Sequence, residues 1–222
     1  MGTYANRYNK VQMFRKRNIN KRIKRIKSNW EKLESIRYGR LYLPFVQFVM
    51  LMPYMTEDTI KGLVLLPCPR TFHKVAIPQD LQQETFGTLT RLQTAPKDND
   101  YLKTCCALVS ALTGISTERV ASSKAIEVLG IVNMIQVEME RIGKLFKSLE
   151  SDKTSEEIRA GIEKLDFGAF GLVDWYAKRM GIVDHEEVFA TPWQRIYQCL
   201  KIDHENAEFE KRYRNIINRQ NK

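Results

Sequence analysis

The sequence predicts a mainly α-helical protein: a multi-helix bundle with a long central helix, a short β-like segment near 63–77 and an N-terminal basic helical arm. Three observations carry this. Apolar residues recur at three- and four-residue steps through most of the chain beyond residue 78, the period of a helix that turns one face to a core. Strand character, bounded by prolines, is confined to 63–77. Positive charge gathers at one end: residues 1–40 hold 13 Lys+Arg against two acids, Glu31 and Glu34, while all 222 residues carry 36 Lys+Arg and 26 Asp+Glu. Residues 1–40 are therefore at +11 and residues 41–222 at −1. The chain divides on these grounds into a basic helical arm (1–40), an apolar, proline-interrupted linker or strand segment (41–77) and a helical domain (78–222).

The arm is patterned as well as charged. Ile19, Ile23, Ile26, Trp30 and Leu33 follow 4-3-4-3 spacing, which sets them on one stripe of a helix over about 18–37. Basic residues fill the other faces, and such crowding of like charge is costly unless an anion or an acidic surface compensates it. Lys16, Arg17, Lys21, Arg22, Lys24 and Arg25 are the candidate contacts to nucleic acid or to an acidic partner. The stripe itself, together with Phe45 and Phe48 just beyond it, is the candidate partner interface. Three environments remain open for the arm: docking on the chain's own body, phosphate on nucleic acid or a lipid surface, or an acidic protein.

Residues 41–55, LYLPFVQFVMLMPYM, form the most apolar run, broken by Pro44 and Pro53. A membrane-spanning helix needs roughly 20 apolar residues, so no membrane span is expected and the run should be buried or meet another subunit. No signal peptide is expected, because the N-terminus is polar and basic with no apolar h-region behind it. Two β-like pieces, 63–66 and 71–77, flank Pro67-Cys68-Pro69. Prolines so close forbid a regular ladder, which leaves a loop joining short edge strands.

Helices are expected from there on. The first covers 81–92, weakened by Gly87. The next, 101–112, is capped by Asn99 or Asp100 and stopped by Gly114. A short turn to Ala121 follows Ser116 and Thr117. The longest helix, 123–149, is apolar over more than one stripe, so it should pack on two sides at the centre of the fold. Shorter helices are expected at 155–165, at 167–180 closed by Gly181, and at 185–190 capped by Asp184. Thr191-Pro192 is a strong start signal for a helix over 193–201, and Asp203 should cap a separate last helix reaching about 218.

No catalytic constellation stands out. The chain has no Gly-x-Ser-x-Gly, no Walker-type loop and no Gly-x-Gly-x-x-Gly after a strand. Asp166-Phe167-Gly168 spells a kinase tripeptide without the other kinase motifs. His73, His185 and His204 are far apart, and the acids around His185 read as capping residues rather than metal ligands, since no His-x-x-x-His or Cys-x-x-Cys fixes two ligands on one face. Cys68, Cys105, Cys106 and Cys199 have no disulfide framework spacing and are expected as reduced, buried thiols. Trp175, Tyr176, Trp193, Tyr197, Phe209 and Tyr213 recur at helical spacing and are expected in a core rather than as a base-stacking platform. The expectation is a protein that binds, with no enzymatic activity, no metal and no cofactor.

From about Val75 onward the order of features resembles the small helical tail assembly chaperones of long-tailed bacteriophages. The pieces are Ala76-Ile77-Pro78 with Thr85-Phe86-Gly87-Thr88-Leu89, a helix ending Ala111-Leu112-Thr113-Gly114, and the long central helix. Next come Gly168 and Gly171 before Val173-Asp174, then Glu187-Val188-Phe189-Ala190-Thr191-Pro192-Trp193 and Glu208-Phe209-Glu210-Lys211-Arg212-Tyr213. The arm and the apolar run lie outside the resemblance and suit a protein retained in the particle, at the head–tail junction or near packaged DNA. The resemblance implies a non-catalytic bacteriophage structural or assembly protein, in the virion or in the host cytoplasm during assembly. Its partners would be other phage particle or tail proteins in a homo- or hetero-oligomer, with DNA contact through residues 10–40. The other reading is a sequence-independent nucleic-acid-binding protein that uses the arm.

Overall fold

The computed structural model describes residues 39–96, 100–150, 155–165 and 167–220. The architecture is mainly helical, as expected, with one small two-stranded sheet. The helices are α1 (Phe45–Leu51), α2 (Glu57–Leu63), α3 (Phe86–Thr94), α4 (Tyr101–Thr113), α5 (Thr117–Ala121), α6 (Ala125–Lys147), α7 (Ser155–Ala160), α8 (Gly168–Met180), α9 (His185–Ala190) and α10 (Trp193–Gln220). Strands β1 (Thr71–Phe72) and β2 (Val75–Ala76) form an antiparallel hairpin, Thr71 facing Ala76 and Phe72 facing Val75. Single 3-10 turns cover Gly39–Tyr42, Met52–Tyr54 and Ile162–Lys164.

The central helix α6 organises the core, and its two halves live in different surroundings. Ala125, Val128, Leu129, Gly130, Ile131, Val132, Met134 and Ile135 are all buried, whereas beyond residue 135 only Ile142 is. The first half is enclosed by the Gly39–Tyr42 turn, α1 and α4, together with the Pro67–Pro69 strap that crosses at Gly130. Packing on more than one side is therefore real, but it is confined to about the first three turns.

Helix starts are stitched to one another in pairs. Phe45 N–H donates to Ser123 O (2.7 Å) and Ala125 N–H to Leu43 O (2.9 Å), so α1 and α6 begin from one antiparallel bridge between Pro44 and Lys124. Likewise Phe86 N–H donates to Thr191 O (2.8 Å) and Trp193 N–H to Glu84 O (3.2 Å), which ties the start of α3 to that of α10. Each such pair satisfies backbone groups that a helix end would otherwise leave orphaned. Asp100 accepts from Lys103 N–H and Asp184 from Glu186 N–H, caps where the residue types indicated, whereas Thr85, inside the helix expected over 81–92, caps α3 by accepting Thr88 N–H on Oγ1. Gly114 and Gly181 close α4 and α8 in the left-handed region.

Four expectations are corrected. Residues 41–77 are not a linker: Leu41, Phe45, Phe48, Phe72 and Ile77 join the same buried cluster as the helices that follow. The piece 63–66 is no strand, because Leu63 ends α2 and the chain then runs irregularly into the prolines. The piece 71–77 folds back on itself through His73 and Lys74, whose φ angles of 49° and 71° make the tight reversal of a two-residue hairpin. Helix α3 starts at Phe86 rather than 81, because Leu81 and Glu84 spend their backbone groups on α6 and α10.

Candidate functional site

The candidate contacts Lys16, Arg17, Lys21, Arg22, Lys24 and Arg25, and the stripe Ile19, Ile23, Ile26, Trp30 and Leu33, lie outside the described residues. Phe45 and Phe48 are described, and they are 0% and 1% exposed in the molecule's own core. Their assignment to a partner interface is therefore corrected. Phe45–Leu51 form the short helix α1, whose apolar face is consumed internally by α4 and α6.

An open cleft of about 320 Å³ lies beside the middle of α6, lined by residues that include Val64, Cys68, Gln79, Asn133, Val137 and Glu138. Its polar groups are already engaged in holding the strap. Asn133 Nδ2 donates to Leu63 O (2.6 Å), Gln79 Nε2 to Pro69 O (3.3 Å) and Ile77 O (3.2 Å), and Cys68 Sγ to Pro69 O (3.6 Å). Glu138 accepts Leu81 N–H (3.1 Å) on Oε2 and Arg141 on both oxygens, at 2.9 and 2.7 Å. Arg141 first, and then the Leu81 amide, hold the Glu138 carboxyl below the usual range, against the opposing effect of burial. Burial pushes the Cys68 thiol up, away from the reactive thiolate. Among the described residues no buried side-chain nitrogen or oxygen lacks a hydrogen-bond partner.

The histidines have local work. His73 Nε2 lies 2.6 Å from Ser123 Oγ, which links the hairpin to the start of α6. His185 sits edge-on to Phe170, 5.1 Å between ring centres, while Asp184 caps α9. Among the described residues no three His, Cys, Asp or Glu side chains gather as metal ligands would.

What does stand out is the last helix, which the sequence broke in two. Helix α10 runs unbroken over 28 residues, because no Gly or Pro interrupts 193–220 and Asp203, rather than capping, pairs with Arg179 of α8. Its first turns are anchored: Trp193 and Ile196 are buried, with Tyr197 and Cys199 partly so. From 205 to 219 every residue except the half-buried Glu208 is exposed. Yet Ile202, Phe209, Tyr213 and Ile216 are 52–60% exposed, and Phe209 and Tyr213 stack on each other at 6.1 Å. These two aromatics therefore do not join the core, unlike Tyr176 and Trp193.

Sequence reasoning had the signal for this face. The spacing Ile202, Phe209, Tyr213, Ile216 is heptad-like, but reading Phe209 and Tyr213 as core assumed a body to pack against. A smaller apolar group, Leu165, Phe167 and Phe170, is 56–67% exposed before and within the first turn of α8. No described helix is long and apolar enough to cross a membrane. No protein-family model, no curated protein and no solved structure matches this chain.

Proposed function

We propose that this chain is a non-enzymatic structural or assembly protein of a bacteriophage particle, in the tail or head–tail region, and that it works through protein–protein contacts. The observation that carries the binding half of the reading is the distal part of α10, a regular helix that holds Ile202, Phe209, Tyr213 and Ile216 in solvent. Large apolar groups in a row on one exposed face mark an interaction surface rather than a core. The phage half rests on the ordered resemblance from Ala76 to Tyr213. The +11 charge of residues 1–40 supplies a second contact, to DNA or to an acidic partner. The chain would act in the virion or in the host cytoplasm during assembly.

The test is a mass-spectrometric inventory of particles and tails purified from cells that make the protein. Stoichiometric recovery with particle or tail proteins supports the reading. Absence from every assembly fraction, with a purely monomeric pool in the lysate, defeats it.

A second reading, sequence-independent nucleic-acid binding, is favoured by the confinement of the excess charge to the arm. Each phosphate neutralised on duplex DNA adds about −0.9 to the slope of log K against log salt. Deleting residues 1–40 should then abolish both affinity and slope. A truncated chain that binds DNA with the same salt dependence removes that reading.

A further inference from the structure

We infer that the distal half of α10 pairs antiparallel with the same helix of a second copy of this chain. The inference rests on the proposed role in protein contacts and names the partner of that surface. At 100° per residue, Ile202, Asn206, Phe209, Tyr213 and Ile216 fall within an arc of roughly 80°. With the exposed Ile217 at its margin the arc reaches about 100°, and Glu205 and Arg212 on one side and Asp203 and Glu210 on the other flank it as charged residues flank the seam of a two-helix coil. Positions 202, 209 and 216 are one heptad register, and 206 and 213 the other.

Charge selects the occupant. Residues 203–210 contain Asp203, Glu205, Glu208 and Glu210 and no Lys or Arg, while 211–219 contain Lys211, Arg212, Arg214 and Arg219 and no acid. The helix is thus acidic, then basic, about a midpoint near 211. Turned antiparallel on itself, it sets each acidic half against a basic half. A parallel pair would set acid against acid and base against base, and its one gain, Asn206 facing Asn206, is small beside that.

The ion pairs within the chain sharpen the point. Asp203 pairs with Arg179, Glu208 with Lys211 (3.8 Å) and Glu210 with Arg214 (3.0 Å). Among the described residues, Glu205, Arg212 and Arg219 have no ion pair, and all three lie on the same flank of the seam. In the antiparallel register that stacks Phe209 on Tyr213 of the other copy, Glu205 lies diagonally across from Arg219, twice by symmetry, while Arg212 meets its own copy near the two-fold axis. A seam of this kind is isologous, as closed two-fold dimers require.

Light scattering and sedimentation of the full chain, over 1–200 µM on the micromolar scale typical of small transient interfaces, give the first readout. A concentration-dependent dimer is expected, and a monomer throughout overturns the proposal, including the case in which residues 19–33 of the same chain cover the seam. Phe209→Asp with Ile216→Asp replaces exposed side chains, so the fold should survive by circular dichroism while dimerisation weakens on the order of 100-fold. A dimer that persists in this variant overturns the assignment of the surface. Orientation is read from oxidative cross-linking. Asn206→Cys mixed with Ile216→Cys should give the mixed cross-link, and Asn206→Cys alone should give none. Self-linking of Asn206→Cys would mean a parallel pair and would sink the inference. Loss of the dimer in these experiments would leave the particle inventory above unaffected.

Discussion

Trp193 and Leu81 are 112 positions apart in sequence and share a buried hydrogen bond, the indole N–H donating to the Leu81 carbonyl at 2.7 Å. Leu81 N–H in turn donates to Glu138 of α6. One residue of the 79–84 loop thereby fastens the start of α10 to the central helix. Trp193 is 2% exposed, with Phe146 and Tyr197 each 6.2 Å away ring to ring.

Trp193→Phe removes the indole donor and leaves the Leu81 carbonyl with only the longer bond from Glu84 N–H (3.3 Å). Losing one such bond costs about 0.5–1.5 kcal/mol, and Trp193→Ala should cost about 3–5 kcal/mol through the cavity it adds. Urea denaturation followed by circular dichroism should rank wild type above Phe above Ala. A Phe variant as stable as wild type would show that the bond contributes nothing net.

Two glycines of α6 make a matched experiment. A Cβ at Gly130 would sit 2.2 Å from the Pro67 carbonyl oxygen, whereas at Gly143 nothing lies within 4 Å. Alanine is the better helix former by about 1 kcal/mol, so Gly143→Ala should raise stability by roughly that amount. Gly130→Ala must push the strap off the helix, and the cost of about 1–3 kcal/mol for overpacking outweighs the propensity gain. Opposite shifts in melting temperature are expected. Shifts of the same sign would mean that the strap moves freely.

That contrast also shows what the sequence could and could not convey. Signals that depend on a few neighbouring residues were legible: Asp100 and Asp184 as caps, Gly114 and Gly181 as stops, and the extended periodicity of α6. Signals that depend on distant partners were not. Asp203 looks like a cap until Arg179 is brought to it from another helix. Leu81 looks helical until Glu138 and Trp193 claim its backbone. Phe45 and Phe48 sit in a run apolar enough for an interface, and only the placement of α4 and α6 decides that the run is core. On α10 the apolar spacing was visible, while its exposure was a tertiary fact.

The thiols should separate by burial. Cys105 and Cys106 are 1% and 3% exposed, and burial, as the main cause, pushes both up to about 11. The nucleophile is the thiolate, so iodoacetamide at pH 8 should leave both unmodified in the native protein and label both once urea unfolds it. Peptide mapping by mass spectrometry reads the result. Rapid native labelling of either would show that α4 opens readily.

Glu138 gives stability a defined pH dependence. Its folded carboxyl is held below the unfolded value of about 4.3 by Arg141 and by the Leu81 amide. A depressed carboxylate contributes stability that is present above the unfolded value and is lost as pH falls through the folded one. Arg141 is 40% exposed and Glu138 13%, so solvent screens part of the attraction and about 1 kcal/mol is the expected size at pH 7. Glu138→Gln can still accept the Leu81 N–H but carries no charge for Arg141. Its urea midpoint should lie below wild type at pH 7, and the gap should narrow as pH falls below about 4, where the wild-type carboxylate begins to take up a proton. A gap that stays constant from pH 7 to pH 3 would assign the loss to shape rather than charge. The Leu81–Glu138–Arg141 link would then be a packing contact with an incidental ion pair.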